Sequence, residues 1–268
     1  MPDKNRVLIG ILQAALLVVF VGAWEIASRL DWLDPFFFSQ PSVFGARALR
    51  WLTEPGFLLG GHSIYHHLLV TMEEMSGGFL LGVVFGVAAG FILGRSHFWS
   101  AVFNPYIQVM NALPRLVLAP IFVLLLGIDQ RSKIALGFSL VFFIVFFNAY
   151  RGVRDVDRNI LNNARMLGAS EAQLAWHVLL PSAMTWILSS LHTSVGFALV
   201  GAVVGEYLAA AQGIGWIISQ AQGNFDAAGV YAGMLILCVV VVIVEMGVTY
   251  LERRLVNWKE TENVQAYP

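Results

Sequence analysis

The sequence predicts an all-α integral membrane protein with six transmembrane helices, and three observations carry that prediction. Hydrophobic residues make up 58% of the 268-residue chain, charged residues only 12%, and the mean hydropathy is +0.72. Soluble domains stand nearer roughly 45–50% apolar and about 25% charged. Six apolar segments recur along the chain, each long enough to cross a hydrocarbon layer. Glycines fall within one of them in a four-residue rhythm, the pattern of helices packed backbone to backbone. The net charge of −1 points to no nucleic-acid partner.

In order, the segments are 7–28, 68–93, 99–126, 132–150, 181–210 and 228–251, within a single membrane domain over 1–268. Lipid offers backbone polar groups no partner, so each run is expected to be helical. Lys4 and Arg6 precede the first run as in a signal peptide. That run is longer than a signal core, however, and Trp24, Glu25 and Arg29 follow where small residues mark cleavage, so a retained span is predicted. Next, Ser39-Gln40-Pro41-Ser42 reads as a turn before an apolar pattern with Arg47 and Arg50, expected to lie along the outer interface. The second span carries Gly78, Gly82, Gly86, Gly90 and Gly94, read as a helix-packing face.

The third span is interrupted by Pro114 and Pro120, with Arg115 between them. An ionisable residue inside a span faces a pathway or a partner. Asn111, Pro114 and Arg115 are therefore candidates for an anion pathway. Glu206, at the end of the fifth span, is another candidate: it could pair with Arg115, or gate or pack against the Gly213-Ile214-Gly215 turn. Glu25, Glu73 and Glu74 lie nearer span ends and are expected to be wet or paired. Cys238, the single cysteine, is expected to pack inside the last span. His62, His66 and His67 have no accompanying Cys or carboxylate, so no metal site is expected.

Lys and Arg set the orientation. With the N-terminus inside, the inner segments hold Lys4, Arg6, Arg95, Arg151, Arg154, Arg158, Arg165, Arg253, Arg254 and Lys259. The outer segments hold Arg29, Arg47, Arg50, Arg131 and Lys133. Both termini are thus predicted on the cytoplasmic side, together with the loop 151–180.

That loop contains "NNARMLGASEAQLAWHVLLP", Asn162 to Pro181, a polar helical stretch between long apolar runs. Asp157 is placed to cap a helix over Asn159–Leu167. Gly168 stands where a left-handed C-terminal cap is wanted. Ser170 and Gln173 have capping-box spacing, so a second short helix is predicted to start at once. Its stripe of Ala172, Ala175, Trp176 and Leu179 has no soluble domain in the chain to cover it, which calls for a partner protein. Pro181 reads as the entrance to the next span.

This stretch resembles the EAA loop of permease subunits in bacterial ATP-binding-cassette importers, whose pattern is Glu-Ala-Ala, three residues, Gly, nine residues, Ile-x-Leu-Pro. Ala164, Gly168, Val178, Leu180 and Pro181 fall on that spacing, while Asn162 and Asn163 replace the leading Glu and Ala. "SQPSVF", "NALPRLVLAPIFVLLLGIDQRSKI" and "VVGEYLAAAQGIGWII" resemble the nitrate/sulfonate/taurine branch of that family. The resemblance implies a type I importer-like fold in the bacterial cytoplasmic membrane, and a homodimer forming the pathway for a small anion. It implies two cytoplasmic ATPase subunits, which would bind ATP and Mg, and an extracytoplasmic solute-binding protein. Asn162, Asn163, Ala164, Gly168, Ala172, Ala175, Trp176, Leu180 and Pro181 would form the coupling device.

No Gly-x-x-x-x-Gly-Lys-Ser/Thr loop is present, so no cofactor is expected in this chain and ATP hydrolysis is assigned to a partner. No hydrolase or metalloprotease motif points to catalysis. The alternatives are a self-sufficient channel or secondary transporter, which calls for repeats that the chain lacks, or a permease for an aromatic or pyrimidine-like solute.

Overall fold

The computed structural model describes residues 2–54, 59 and 61–255, with the side chains of 8–54, 59 and 61–250. The side chains of Lys4, Arg6, Arg253, Arg254 and Lys259, counted above for orientation, lie outside this set. Among the described residues twelve α-helices follow in chain order: α1 Pro2–Arg29, α2 Pro35–Phe38, α3 Pro41–Thr53, α4 Ile64–Arg95, α5 His97–Ala112, α6 Ala119–Leu126, α7 Gln130–Arg154, α8 Arg158–Met166, α9 Glu171–Leu174, α10 Leu180–Leu208, α11 Ile214–Gly223 and α12 Ala227–Leu255.

By length and composition, five helical stretches can cross a membrane, and a bent pair makes a sixth if counted as one. The bent pair is the third predicted span: α5 and the Arg115–Leu126 segment meet at 84°. Leu113, forced to an extended conformation (ψ 129°) by the following proline, ends α5. Arg115–Leu118 restarts the chain as a 3₁₀ turn.

The core is α7 with α4 on one side and α10 on the other. The glycine row explains how close they come. A Cβ on Gly82 would sit 2.6 Å from Val141 Cβ, one on Gly90 2.5 Å from the Phe146 carbonyl oxygen, and one on Gly94 2.8 Å from Val153 Cβ. On the other side, a Cβ on Gly201 would sit 2.4 Å from Gly137 Cα. Backbones this close gain dispersion contacts along their length, the main source of helix affinity in lipid. The packing reading of the row holds.

Smaller layers surround this core. Ala48, Trp51, Ile64, Ile214, Ile217, Ile218, Ala232 and Ile236 form a second buried cluster joining α3, α11 and α12. Arg47 of α3 pairs with Asp226. α1 stands largely exposed and is tied to the rest through Glu25, whose two oxygens accept from the Ser42 amide (2.9 Å) and hydroxyl (2.7 Å). Glu25 also pairs with Arg29 at 2.7 Å. Cys238 faces outward from α12 rather than packing inside, a correction to the sequence expectation.

Candidate functional site

Two regions at opposite ends of the α4–α7–α10 core hold the residues singled out by the sequence. At the Leu208 end, three successive backbone N–H groups open α11, and each finds a side-chain acceptor. Gly213 N donates to His67 Nδ1 (3.0 Å), Ile214 N to Thr71 Oγ1 (3.0 Å) and Gly215 N to Glu206 Oε2 (2.6 Å). Thr71 Oγ1 in turn donates to Glu206 Oε1 (2.6 Å). These bonds satisfy donors that any helix start leaves orphaned. His67 donates from Nε2 to the Leu59 carbonyl (2.9 Å) and stacks on Trp216, and His66 donates to Gln212 Oε1 (3.0 Å). The histidines are joints of the fold.

Glu206 is therefore a buried anchor, fully enclosed, with both oxygens engaged. Among the described residues it makes no ion pair with Arg115, and its contacts with the Gly213–Gly215 turn are those of the packing alternative. Glu74, expected to be wet or paired, is 2% exposed, and its Oε2 has no hydrogen-bond partner among the described residues. Glu74 extends the glycine row back by four residues, so the sequence did carry a signal for its burial. Glu73 is exposed and accepts from Gln130 Nε2. Lys133 is buried beside these carboxylates, its ammonium donating to the carbonyls of Ile128 and Asp129. Glu74 and Lys133 line a cavity of about 450 Å³ shared with Asp129, Arg131 and Gln212.

Arg115 sits at the bend after α5. Its guanidinium donates to Asn111 Oδ1 (3.0 Å) and lies 4.6 Å from the centre of the Phe143 ring. Asn111 and Pro114 are exposed on the same bend. These three predicted residues do come together, through the proline break.

At the Arg154 end, the loop folds as its caps dictate. Asp157 Oδ1 accepts from Asn159 N (2.8 Å) to open α8. Gly168 adopts φ +86°, the left-handed corner, with open space where a Cβ would be. Ser170 and Gln173 complete a reciprocal capping box, Ser170 Oγ accepting from Gln173 N and Gln173 Oε1 from Ser170 N.

Two departures follow. The second helix is not separate: α9 runs through a π-helical turn, Ala175–Leu179, directly into α10. In that turn Leu180 N–H bonds to Ala175 O, five residues back. The wider turn makes room for Pro181, whose ring clashes with the carbonyl four residues earlier in a regular helix. Nor is the whole predicted stripe uncovered. Ala175 (3% exposed) and Leu179 (8%) are buried, Leu179 against Ala149, Val153, Ala183 and Ile187. What stays exposed is Trp176 (69%), with Leu167 (89%) and Met166 (85%) at the corner, the last a residue the sequence reading did not single out. Asn162, Asn163, Ala172 and Pro181 are exposed, and Ala164 and Leu180 half-buried.

The fold is thus a bundle of membrane-length helices carrying an exposed apolar corner at one end. Residues 82–257 match the family model described as the binding-protein-dependent transport system inner membrane component, and the chain belongs to that family. It is 33% identical over 261 residues to a putative aliphatic sulfonates transport permease protein of Bacillus subtilis (strain 168), covering 97% of this chain and 91% of that protein. It is 29% identical over 248 residues to the taurine transport system permease protein of Escherichia coli (strain K12), covering 92% and 89%. Among solved structures, an inward-facing conformation of the MetNI methionine ABC transporter matches with a TM-score of 0.56 at 16% identity, over 71% of this chain and 93% of that one. The chain is an ABC-importer permease beside the sulfonate and taurine permeases, with the type I importer fold.

Proposed function

We propose that this chain forms, as a homodimer, the membrane pathway of an ATP-driven importer for a small sulfonate-like anion, and couples to its ATPases through the Gly168 corner. Two cytoplasmic ATPase subunits bind ATP and Mg, and an extracytoplasmic binding protein delivers the solute. Both termini and the corner lie in the cytoplasm, as the Lys/Arg distribution supports.

The observation that carries this reading is the exposure of Met166 and Leu167 before a left-handed glycine and of Trp176 after it, the last on a segment continuous with α10. Exposed aromatic and aliphatic side chains at the end of a span are suited to a partner's groove. Because α9 continues into α10, and Leu174, Ala175 and Leu179 lock it to the core, a push on the corner is transmitted to the spanning helix as a rigid lever. Arg115, at the bend of the third span, supplies the cation for the passing anion. The test is copurification: Leu167→Asp is expected to lose the ATPase while the permease still inserts. Retention of a coupled ATPase contradicts the docking role.

A second solute reading has its own support. The chain is 30% identical over 239 residues to a formylaminopyrimidine transport permease protein of Halalkalibacterium halodurans, covering 89% of this chain and 92% of that protein. Uptake of taurine, an alkanesulfonate and a formylaminopyrimidine by the reconstituted complex separates the two.

A further inference from the structure

The Arg154 end holds a feature that the coupling role does not use. Where α4 ends, α5 begins and α7 passes into α8, a cleft of about 190 Å³ is lined by Arg95, Arg154, Arg158 and Arg165, with Glu171 as the one carboxylate. Val153, Leu174 and Leu179 form its apolar floor. Among the described residues, of the four guanidiniums only Arg165 has a carboxylate partner, Glu171 at 3.1 Å. Arg154 is held instead by neutral oxygens, Ser100 Oγ (2.6 Å) and Tyr150 Oη (2.7 Å). Arg95 lies over the Phe91 ring and reaches the Glu171 carbonyl at 3.5 Å. Among the described residues, no ion pair is made by Arg95, Arg154 or Arg158. Asp155 and Asp157 are neighbours in sequence but line no part of the cleft, and Asp157 is committed to capping α8.

Three arginines without a carboxylate partner among the described residues line one small cleft, and an anion there would relieve their mutual repulsion. Their planar forks match the oxygens of a tetrahedral oxyanion. The volume is below that of a drug-sized pocket, which suits a head group rather than a large ligand. The cleft also lies where the membrane-length helices α4 and α7 end. Basic pockets between spans on the cytoplasmic side attract anionic lipids.

We infer that this cleft binds a tetrahedral oxyanion, the phosphodiester of an anionic phospholipid or a soluble phosphate- or sulfonate-type anion, at the root of the coupling loop. Its placement on the cytoplasmic leaflet rests on the orientation given above; its chemistry does not.

The test uses the purified complex of permease, ATPase and binding protein in detergent. Its thermal midpoint is measured with phosphatidylglycerol against phosphatidylcholine, and with inorganic phosphate against chloride at equal ionic strength. Phosphatidylglycerol is expected to raise the midpoint by about 2–4 °C, and Arg95→Gln/Arg158→Gln to remove at least half of that rise. Arg50→Gln, at the far end, is expected to keep it. A rise with phosphate that the double variant loses assigns the soluble anion as occupant. An equal rise in the double variant, no rise with either anion, or a rise seen only after the ATPase is stripped away overturns the inference. Stimulation of ATP hydrolysis by the loaded binding protein, read on the same preparations, reports separately on the importer reading.

Discussion

The two ends of the helical core treat polar and apolar groups in opposite ways. At the Leu208 end, Glu206, Lys133, Glu74, Thr71 and His67 are buried, and most of their polar atoms are used to fasten neighbouring turns. At the Arg154 end, Met166, Leu167 and Trp176 are exposed, while arginines ring an open cleft. Buried charges in a membrane protein are costly and persist where each holds something in place. Exposed large apolar groups outside the lipid persist where another molecule covers them. Hence a buried carboxylate with both oxygens engaged, as at Glu206, signals fastening, and a large apolar residue exposed at the other end signals a partner.

Substitutions at the two ends should therefore fail in different ways. The largest stability effect is expected at the sealed end. Glu206→Ala strands the Gly215 amide, takes one acceptor from the Thr71 hydroxyl and leaves a cavity, and should cost about 2–5 kcal/mol, read as thermal unfolding in detergent. A near-neutral result would mean that Glu206 is no anchor.

Next come the helix seams. Gly90→Val forces side-chain atoms onto the Phe146 carbonyl and should destabilise by about 1–3 kcal/mol or more. Gly196→Ala, with nothing within 4 Å of its Cβ, should gain up to about 1 kcal/mol from helix propensity. Equal responses at the two glycines would break the packing account of the row.

The open end should behave in reverse. Trp176→Asp is expected to leave unfolding within about 0.5 kcal/mol of the parent, yet to weaken ATPase binding roughly tenfold or more, as loss of an exposed aromatic anchor does. Pull-down titration against the purified ATPase checks this. The smallest global effect belongs to Arg115→Ala, which should lower solute uptake while ATPase binding and stability stay as they were. Unchanged uptake kinetics would remove Arg115 from the pathway.

What the sequence disclosed depended on how local the cause was. The Gly168 corner, the Ser170–Gln173 box and the Asp157 cap were legible because each is decided within four residues. The α4 glycine row was legible because its period survives in the sequence. The burial of Ala175 and Leu179 was not, since it depends on α7 lying against them, and an apolar stripe does not say which neighbour covers it. Pro181 reads as a helix start, and only the π-helical turn before it lets α9 and α10 run together. Glu74 shows a middle case: its place in the four-residue row implied burial, but a carboxylate near a span end reads as wet until the row is extended to it.

The most direct test of coupling through the corner compares two replacements of one residue. Gly168 has open space around it, so only its left-handed backbone discriminates between them. Valine there is strained by about 1–2 kcal/mol or more, whereas asparagine tolerates the conformation. In vesicles containing the full importer, ATP hydrolysis is measured with and without loaded binding protein. Gly168→Asn should keep the stimulation, and Gly168→Val should lose it along with uptake while its expression and insertion match the parent. Wild-type stimulation and uptake in Gly168→Val would contradict coupling through the corner.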